Sequence, residues 1–216
     1  MSALLIFGDS WPSGQELVSG EQPYGELLYS RIGCDCVKTF SAPSTSIPHL
    51  VLQLNSALEQ DVAGSKAVFF LTGVDRELIW VDNRPTELCP SAPGDVHWYT
   101  KYNSPELTQY RINTTLIALQ SMCKKYNIED YYVWGWNTIE LWPSVDSSKF
   151  YHTTVADEFV SNITLPDDTG YLWPKDADNL FRISNTKNPY IWPKMCHPNQ
   201  LGHQLIADIL AKWICT

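Results

Sequence analysis

The chain has 216 residues, of which 44% are hydrophobic, and it includes 9 Trp and 11 Tyr. This is enough apolar material for one globular domain with a substantial core, which excludes a disordered chain. The formal net charge of −9 disfavours a nucleic-acid binder and favours a neutral or cationic substrate. No apolar run is long enough to span a membrane.

The N-terminus and the cysteines indicate a cytoplasmic protein. The first apolar run follows Met1 almost directly, without a basic segment or a cleavage site, so we predict no signal peptide. The six cysteines match no disulfide or zinc pattern, and only Cys34 and Cys36 are close together. We interpret them as reduced thiols.

The first predicted element is a short apolar run, Leu4–Phe7, which Gly8 interrupts and Asp9 and Ser10 follow. Such a run is typical of a buried parallel strand, and residues after it lie at the carboxyl edge of the sheet, where α/β proteins bind ligands. A serine on a tight turn there can present its hydroxyl beside a helix N-terminus. Taken alone, Asp9 and Ser10 are explained more simply as caps of the next helix.

Further strands and helices alternate along the chain. Strands are predicted at Cys34–Phe40, Lys66–Thr72 and Tyr131–Trp136, and helices after Pro23, Ser46, Ser104 and Asn199. This alternation predicts a parallel sheet covered on both faces. Residues 80–103 are too irregular to assign, and 137–193 form an aromatic-rich irregular insertion that we interpret as functional. We predict one domain over residues 1–216.

Five histidines are candidates for the base that a serine nucleophile needs. His197 lies in a loop directly before the last helix, and in an α/β sandwich this position can reach the carboxyl edge of the first strand. His203 lies within that helix, where a packing or surface role is expected. For His49, His97 and His152 we predict solvated side chains.

The motifs at the two ends of the chain resemble the first and last blocks of the SGNH (GDSL-type) hydrolase superfamily. These motifs are L-I-F-G-D-S, ending at Ser10, and H-P-N-Q-L-G-H-Q-L-I-A-D-I-L, beginning at His197. The resemblance implies a flavodoxin-like three-layer αβα sandwich and a serine esterase, lipase or acetylesterase without metal or cofactor. It implies that Ser10 is the nucleophile and His197 the general base.

The two middle blocks depart from the family pattern, which supplies oxyanion donors there. Residues 42–46 contain no glycine, and Ser44 is the best match for a backbone donor. Where the family has an asparagine, this chain has Asp75, within Gly73-Val74-Asp75-Arg76. A carboxylate there would repel an oxyanion. Either Asp75 is turned away, for example by pairing with Arg76, or a neighbour such as Thr72 or Arg76 supplies the donor.

A third departure concerns the acid that orients the histidine. The family places an aspartate three residues before it, where this chain has Lys194, which cannot accept a hydrogen bond. A backbone carbonyl or a loop aspartate such as Asp176 or Asp178 is the expected replacement. Asp9 is a further candidate for supporting the site.

Two functions from different classes follow from the resemblance. The first is hydrolysis of carboxylic esters on small molecules, or of O-acetyl groups on carbohydrate, with Trp11 as a candidate substrate contact because aromatic faces stack on sugars. The second is a non-catalytic glycan-binding or structural component of the same fold, for example of a phage particle, in which case the protein is virion-associated. A nucleotide or flavin binder is disfavoured, since no Gly-rich phosphate loop is present.

Overall fold

The computed structural model describes residues 2–90, 94–162, 190 and 197–216. Its strands are β1 (Ala3–Phe7), β2 (Cys36–Thr39), β3 (Lys66–Leu71), β4 (Glu77–Val81), β5 (Arg84–Leu88), β6 (Glu129–Trp134) and β7 (Phe150–Thr154). Its helices are α1 (Tyr24–Leu28), α2 (Leu50–Leu58), α3 (Val96–Tyr102), α4 (Pro105–Lys125), α5 (Val155–Ser161) and α6 (Gln200–Ile214), with a 3₁₀ turn at Ser147–Lys149.

Five strands form a parallel sheet in the order β2-β1-β3-β6-β7. The first strand therefore lies inside the sheet, between β2 and β3, and Phe7 is paired with Phe69. This strand order is that of a flavodoxin-like fold. Because the strands are parallel, the residues that follow β1 and β3 meet at one edge of the sheet.

Alternate side chains of the strands enter two apolar layers. On one face, Leu4 and Ile6 of β1 pack with residues of α1, α5 and α6. On the other, Leu5 and Phe7 pack with residues of α2 and α4. Alternation within a strand that is buried on both faces explains why β1 is apolar throughout. The expected αβα sandwich is confirmed.

Two regions contain more regular structure than the sequence indicated. Within residues 80–103, the structure has most of an antiparallel hairpin, β4–β5, and helix α3. Within residues 137–193, expected to be irregular, the described part supplies the fifth strand, β7, and helix α5. Strand β7 has a register irregularity against β6, and its short, partly polar sequence carries little periodic signal.

The predicted helix starts differ in accuracy. Ser104 and Asn199 are N-caps, because their side-chain oxygens accept hydrogen bonds from the N–H groups of Leu107 and Gly202. The prediction of Ser46 as an N-cap is wrong, since α2 begins at Leu50. The N–H of Ser46 instead donates to a carboxylate of the hairpin, that of Glu87, which also contacts His49.

In the part of the chain that the structure describes, no helix combines the length and apolarity needed to cross a membrane.

Candidate active site

The turn after β1 contains Gly8, whose backbone conformation and close neighbours leave no room for a side chain. Gly8 has a φ of +146°, and a Cβ there would lie 2.7 Å from Pro12 and 2.9 Å from Phe70. Gln53 of α2 holds this residue from the other side: its amide accepts a hydrogen bond from the Gly8 N–H and donates one to the Gly8 carbonyl, both at 2.9 Å. The turn that carries Ser10 is thus fixed by the core and by α2.

Ser10 and His197, from opposite ends of the chain, are in hydrogen-bond contact. The His197 Nε2 lies 2.9 Å from the Ser10 Oγ. Both residues are almost buried, with 5% and 7% of their surface exposed. The other ring nitrogen, Nδ1, lies 3.0 Å from Oε2 of Glu16. Because a carboxylate only accepts hydrogen bonds, Nδ1 carries the proton, and Nε2 is left to accept the serine proton.

Glu16 is the residue that the sequence analysis missed. It belongs to the loop after the serine, which folds back through hydrogen bonds from the N–H of Gln15 and the hydroxyl of Ser13 to the Ser10 carbonyl. Glu16 has a φ of +73°, a left-handed conformation that is uncommon for residues other than glycine. The one available signal was that Glu16 is the sole carboxylate between Ser10 and Gly20. Asp176, Asp178 and Lys194 lie outside the described residues.

The loop that carries His197 is held by the start of α6. The Asn199 side chain accepts from the N–H of Gly202, and the Asn199 N–H donates to the Tyr190 carbonyl at 2.9 Å. A Cβ on Gly202 would lie 2.2 Å from that same carbonyl oxygen. The glycine in H-P-N-x-x-G is therefore required by a close backbone approach beside the histidine.

His203 is a packing residue. It is fully buried, and its Nδ1 accepts a hydrogen bond from the backbone N–H of Tyr24, at 3.1 Å, which joins α6 to α1. Burial lowers the pKa of His203 to about 4, and the nearby His197 adds to this effect. Protonation of Nδ1 would break the bond to Tyr24, so His203 is neutral near pH 7.

Asp9 is fully buried and acts as a structural anchor of the site. Its Oδ1 accepts from the N–H of Trp11, while its Oδ2 accepts from the Thr72 hydroxyl at 2.6 Å and from the Arg76 guanidinium at 2.9 Å. Arg76 also stacks over the Trp136 ring. These contacts join the turn after β1 to the turn after β3. They also correct one expectation: Arg76 is paired with Asp9, not with Asp75.

The second-block residue Ser44 adopts the backbone conformation expected of a glycine. Its φ is +63°, and it lies in a turn that the N–H of Ala42 ties to the Gly8 carbonyl, at 3.1 Å. Glycine reaches this conformation without strain, whereas another residue loses about 1–2 kcal/mol. The backbone of Ser44 is therefore one that glycine adopts more readily than serine.

The third-block turn is closed by a hydrogen bond from the Arg76 N–H to the Gly73 carbonyl. Gly73 is buried, and the Asp75 side chain folds back toward it, so that a Cβ on Gly73 would lie 2.6 Å from the Asp75 Oδ1. Asp75 itself is exposed and forms no ion pair with any residue that the structure describes. The Thr72 hydroxyl is occupied by Asp9.

Trp11 does not have the expected accessibility. It is only 2% exposed and packs against the rings of Phe70, Trp136 and Phe159. The expectation that it contacts substrate is corrected: an indole next to the serine is apolar enough to be drawn into the core beneath the turn. Within the described residues, no group of three or more His, Cys, Asp or Glu side chains is arranged to hold a metal ion.

The fold is similar to that of a solved protein described as a member of the lipolytic protein G-D-S-L family from Veillonella parvula DSM 2008. The TM-score is 0.51, the sequence identity is 9%, and the match covers 98% of this chain and 97% of that one. At this identity the similarity establishes the fold alone, a central parallel sheet flanked by helices. No protein-family model and no curated protein sequence matches the chain.

Proposed function

We propose that this protein is a serine hydrolase that cleaves carboxylic esters through Ser10, His197 and Glu16. The observation that carries the proposal is that both ring nitrogens of His197 are engaged, Nε2 by the Ser10 hydroxyl and Nδ1 by the Glu16 carboxylate. A serine becomes a nucleophile when a base takes its proton and a third group orients that base. The similarity to a G-D-S-L lipolytic protein supports a fold that accommodates this chemistry.

The proposed reaction has two halves. In the first, the Ser10 Oγ attacks the ester carbonyl carbon while Nε2 of His197 takes the hydroxyl proton. The imidazolium then returns the proton to the leaving alcohol oxygen as the C–O bond breaks, which leaves an acyl-serine. In the second half, His197 takes a proton from water as the water oxygen attacks the acyl carbon. The bond from this carbon to the Ser10 Oγ then breaks, the imidazolium returns its proton to Oγ, and the acid is released. Glu16 stabilises the imidazolium in both halves.

The oxyanion of the tetrahedral intermediate needs preorganised donors. We propose the backbone N–H groups of Ser10 and Ser44 for this role. The left-handed backbone of Ser44, with a φ of +63°, and the tie from the neighbouring Ala42 N–H to the Gly8 carbonyl support its assignment. A third donor from the side chain at position 75 is absent, because Asp75 is a carboxylate.

No contact in the described site identifies the substrate class. Small-molecule esters and O-acetyl groups on carbohydrate remain the proposal. The carbohydrate version loses Trp11 as a stacking residue because that side chain is buried.

A non-catalytic role on the same fold is the second candidate, as a glycan-binding or structural component. One observation favours it: an exposed carboxylate, Asp75, stands where an oxyanion donor is expected. Turnover distinguishes the two roles.

We expect the wild-type protein to hydrolyse 4-nitrophenyl acetate and the Ser10→Ala variant to have lost more than 99% of that rate. Ser56→Ala is the matched control, because Ser56 is an exposed serine on α2 whose hydroxyl donates to the Leu52 carbonyl of the same helix. Equal rates for the wild type and Ser10→Ala would reject Ser10 as the nucleophile.

A further inference from the structure

The carboxyl edge of β3 borders a second feature that the proposed reaction does not use. A cavity of about 360 Å³ lies between the turn after β3, helix α3, the start of α4 and the segment after β6. Its walls are formed by Val74, Asp75, Tyr99, Asn103, Ser104, Pro105, Thr108 and Ile139. Asp75 lies between Thr72 and Arg76, which both bond to Asp9, the neighbour of Ser10. The cavity and the serine are thus connected by one turn.

Asp75 is the one charged side chain among these wall residues. Arg76, which follows Asp75 in the chain, is occupied by Asp9, and Arg111 of α4 is occupied by the buried Glu77 and by Asn103. Neither arginine belongs to the described cavity wall. An uncompensated carboxylate on the wall of a cavity attracts a positive group from solvent.

The N-terminus of α4, which carries the positive end of the helix dipole, also borders the cavity, and groups of the helix itself already compensate it. Ser104 accepts from the N–H of Leu107, and hydrogen bonds to its own backbone N–H and to Ser104 lower the pKa of Glu106. These groups offset the helix dipole that would otherwise favour an anion. Among the wall residues that the structure describes, the uncompensated charge is therefore that of Asp75.

The remaining walls suit an organic cation. Val74, Pro105 and Ile139 are apolar, and Tyr99 adds an aromatic ring whose hydroxyl is directed to the Leu88 carbonyl. Burial raises the pKa of Tyr99, and the carboxylates of Glu77 and Asp75 raise it further, as expected for a wall at negative potential. A carboxylate combined with an aromatic ring and apolar walls is a typical environment for an ammonium group.

We infer that this cavity binds an organic ammonium group of the ester substrate, with Asp75 as the specificity-determining residue. The inference rests on the proposed ester hydrolysis. It also explains why a carboxylate stands at position 75: a positive group held there offsets the charge that would repel the oxyanion. The net charge of −9 is consistent with attraction of a cationic substrate.

Binding tests the cavity independently of catalysis. The probes are choline and its neutral carbon isostere 3,3-dimethylbutan-1-ol, titrated calorimetrically into the wild-type protein, Asp75→Asn and Asp82→Asn. Asp82 is exposed in the hairpin turn and has a left-handed backbone that asparagine tolerates, so its variant makes the same charge change away from the cavity. We expect choline to bind the wild type at least tenfold more tightly than the alcohol.

The Asp75→Asn variant should lose that tenfold preference, and Asp82→Asn should keep it. Equal losses in both variants, or no preference in the wild type, would overturn the inference. Hydrolysis of acetylcholine against 3,3-dimethylbutyl acetate separates it from the proposed function. If turnover depends on Ser10 but kcat/KM is equal for the two esters, the ammonium site is rejected and the proposed ester hydrolysis stands. If choline binding depends on Asp75 but neither ester is hydrolysed, the proposed ester hydrolysis is rejected and the ammonium site stands.

Discussion

Oε2 of Glu16 lies 3.0 Å from Nδ1 of His197, so a glutamate from the loop after Ser10 contacts a histidine 181 positions further along the chain. In this arrangement Ser10 and Glu16 are placed by the same short turn, and only His197 must be brought from the other end. In the proposed reaction, Glu16 takes the place of the aspartate that the resemblance led us to expect at position 194.

Replacing Glu16 tests whether its carboxylate orients His197. Glu16→Gln keeps the shape but holds the wrong ring tautomer or leaves the imidazolium unpaired, so we expect kcat to fall by about 10²–10⁴-fold with KM nearly unchanged. The exposed Glu26 on α1 gives the matched control, Glu26→Gln. If both variants retain wild-type kcat, Glu16 has no part in orienting His197.

Arg76 should matter for stability because it neutralises a buried charge. Asp9 is fully buried and pairs with Arg76, so Arg76→Met leaves a carboxylate without its cation and should cost about 3–5 kcal/mol in the free energy of unfolding. Adding Asp9→Asn in the same chain should restore part of this loss. Urea unfolding of the single and double variants measures the coupling.

Arg84→Met is the control for the arginine substitution, since Arg84 is exposed in the hairpin. Strictly additive effects of Arg76→Met and Asp9→Asn would show that the two side chains do not depend on each other.

His203 should make the protein less stable in acid. Its pKa is lowered to about 4 in the folded state, against an ordinary value near 6.5, so the unfolded chain binds the extra proton first. Its contribution is fully present above pH 6.5 and is lost as pH falls toward 4, with a slope of at most about 1.4 kcal/mol per pH unit. His203→Asn keeps an acceptor near Nδ1 but does not titrate, and should flatten this slope in urea unfolding at pH 4–7.

The exposed His152 supplies the control substitution, His152→Asn. An unchanged slope in His203→Asn would mean that another group determines the acid sensitivity in this range.

Gly202 should be intolerant of alanine although it lies in a helix. Alanine normally stabilises a helix by about 1 kcal/mol relative to glycine, but a Cβ here would lie 2.2 Å from the Tyr190 carbonyl oxygen. We expect Gly202→Ala to lower the free energy of unfolding by about 1–3 kcal/mol and to reduce kcat by moving the segment that carries His197. Thermal unfolding and ester turnover measure the two effects. Leu201→Ala, at an exposed neighbouring position, should change neither.

The sheet was predictable because its strands are buried on both faces. Leu4–Phe7 and Lys66–Thr72 are nearly continuous apolar runs, and such runs have few alternative environments in a domain of this size. Strand β7 was not predictable, because Phe150–Thr154 is short and partly polar and joins the edge of the sheet through tertiary contacts. The hairpin β4–β5 lies outside the main sheet, and its exposed Trp80 and Pro85 conceal the alternation.

Residues of the site were predictable where they belong to a recognisable sequence motif. They were not predictable where only the tertiary structure brings them to the site. Ser10 and His197 were singled out from two motifs, and the strand order and the last helix allow the two side chains to meet at 2.9 Å. Glu16 depends on a left-handed residue in a loop, and Gln53 is one polar residue on the buried face of α2, so neither has a periodic or spacing signal. The single-domain organisation over residues 1–216 stays a prediction.

Covalent capture of Ser10 tests the central claim most directly. We would incubate the wild-type protein, Ser10→Ala and His197→Ala with a fluorophosphonate and follow the adduct by intact-mass and peptide mass spectrometry. The account predicts one adduct per chain on Ser10, none in Ser10→Ala, and labelling slowed at least a hundredfold in His197→Ala. An unlabelled wild type, or equal labelling of all three proteins, would contradict it.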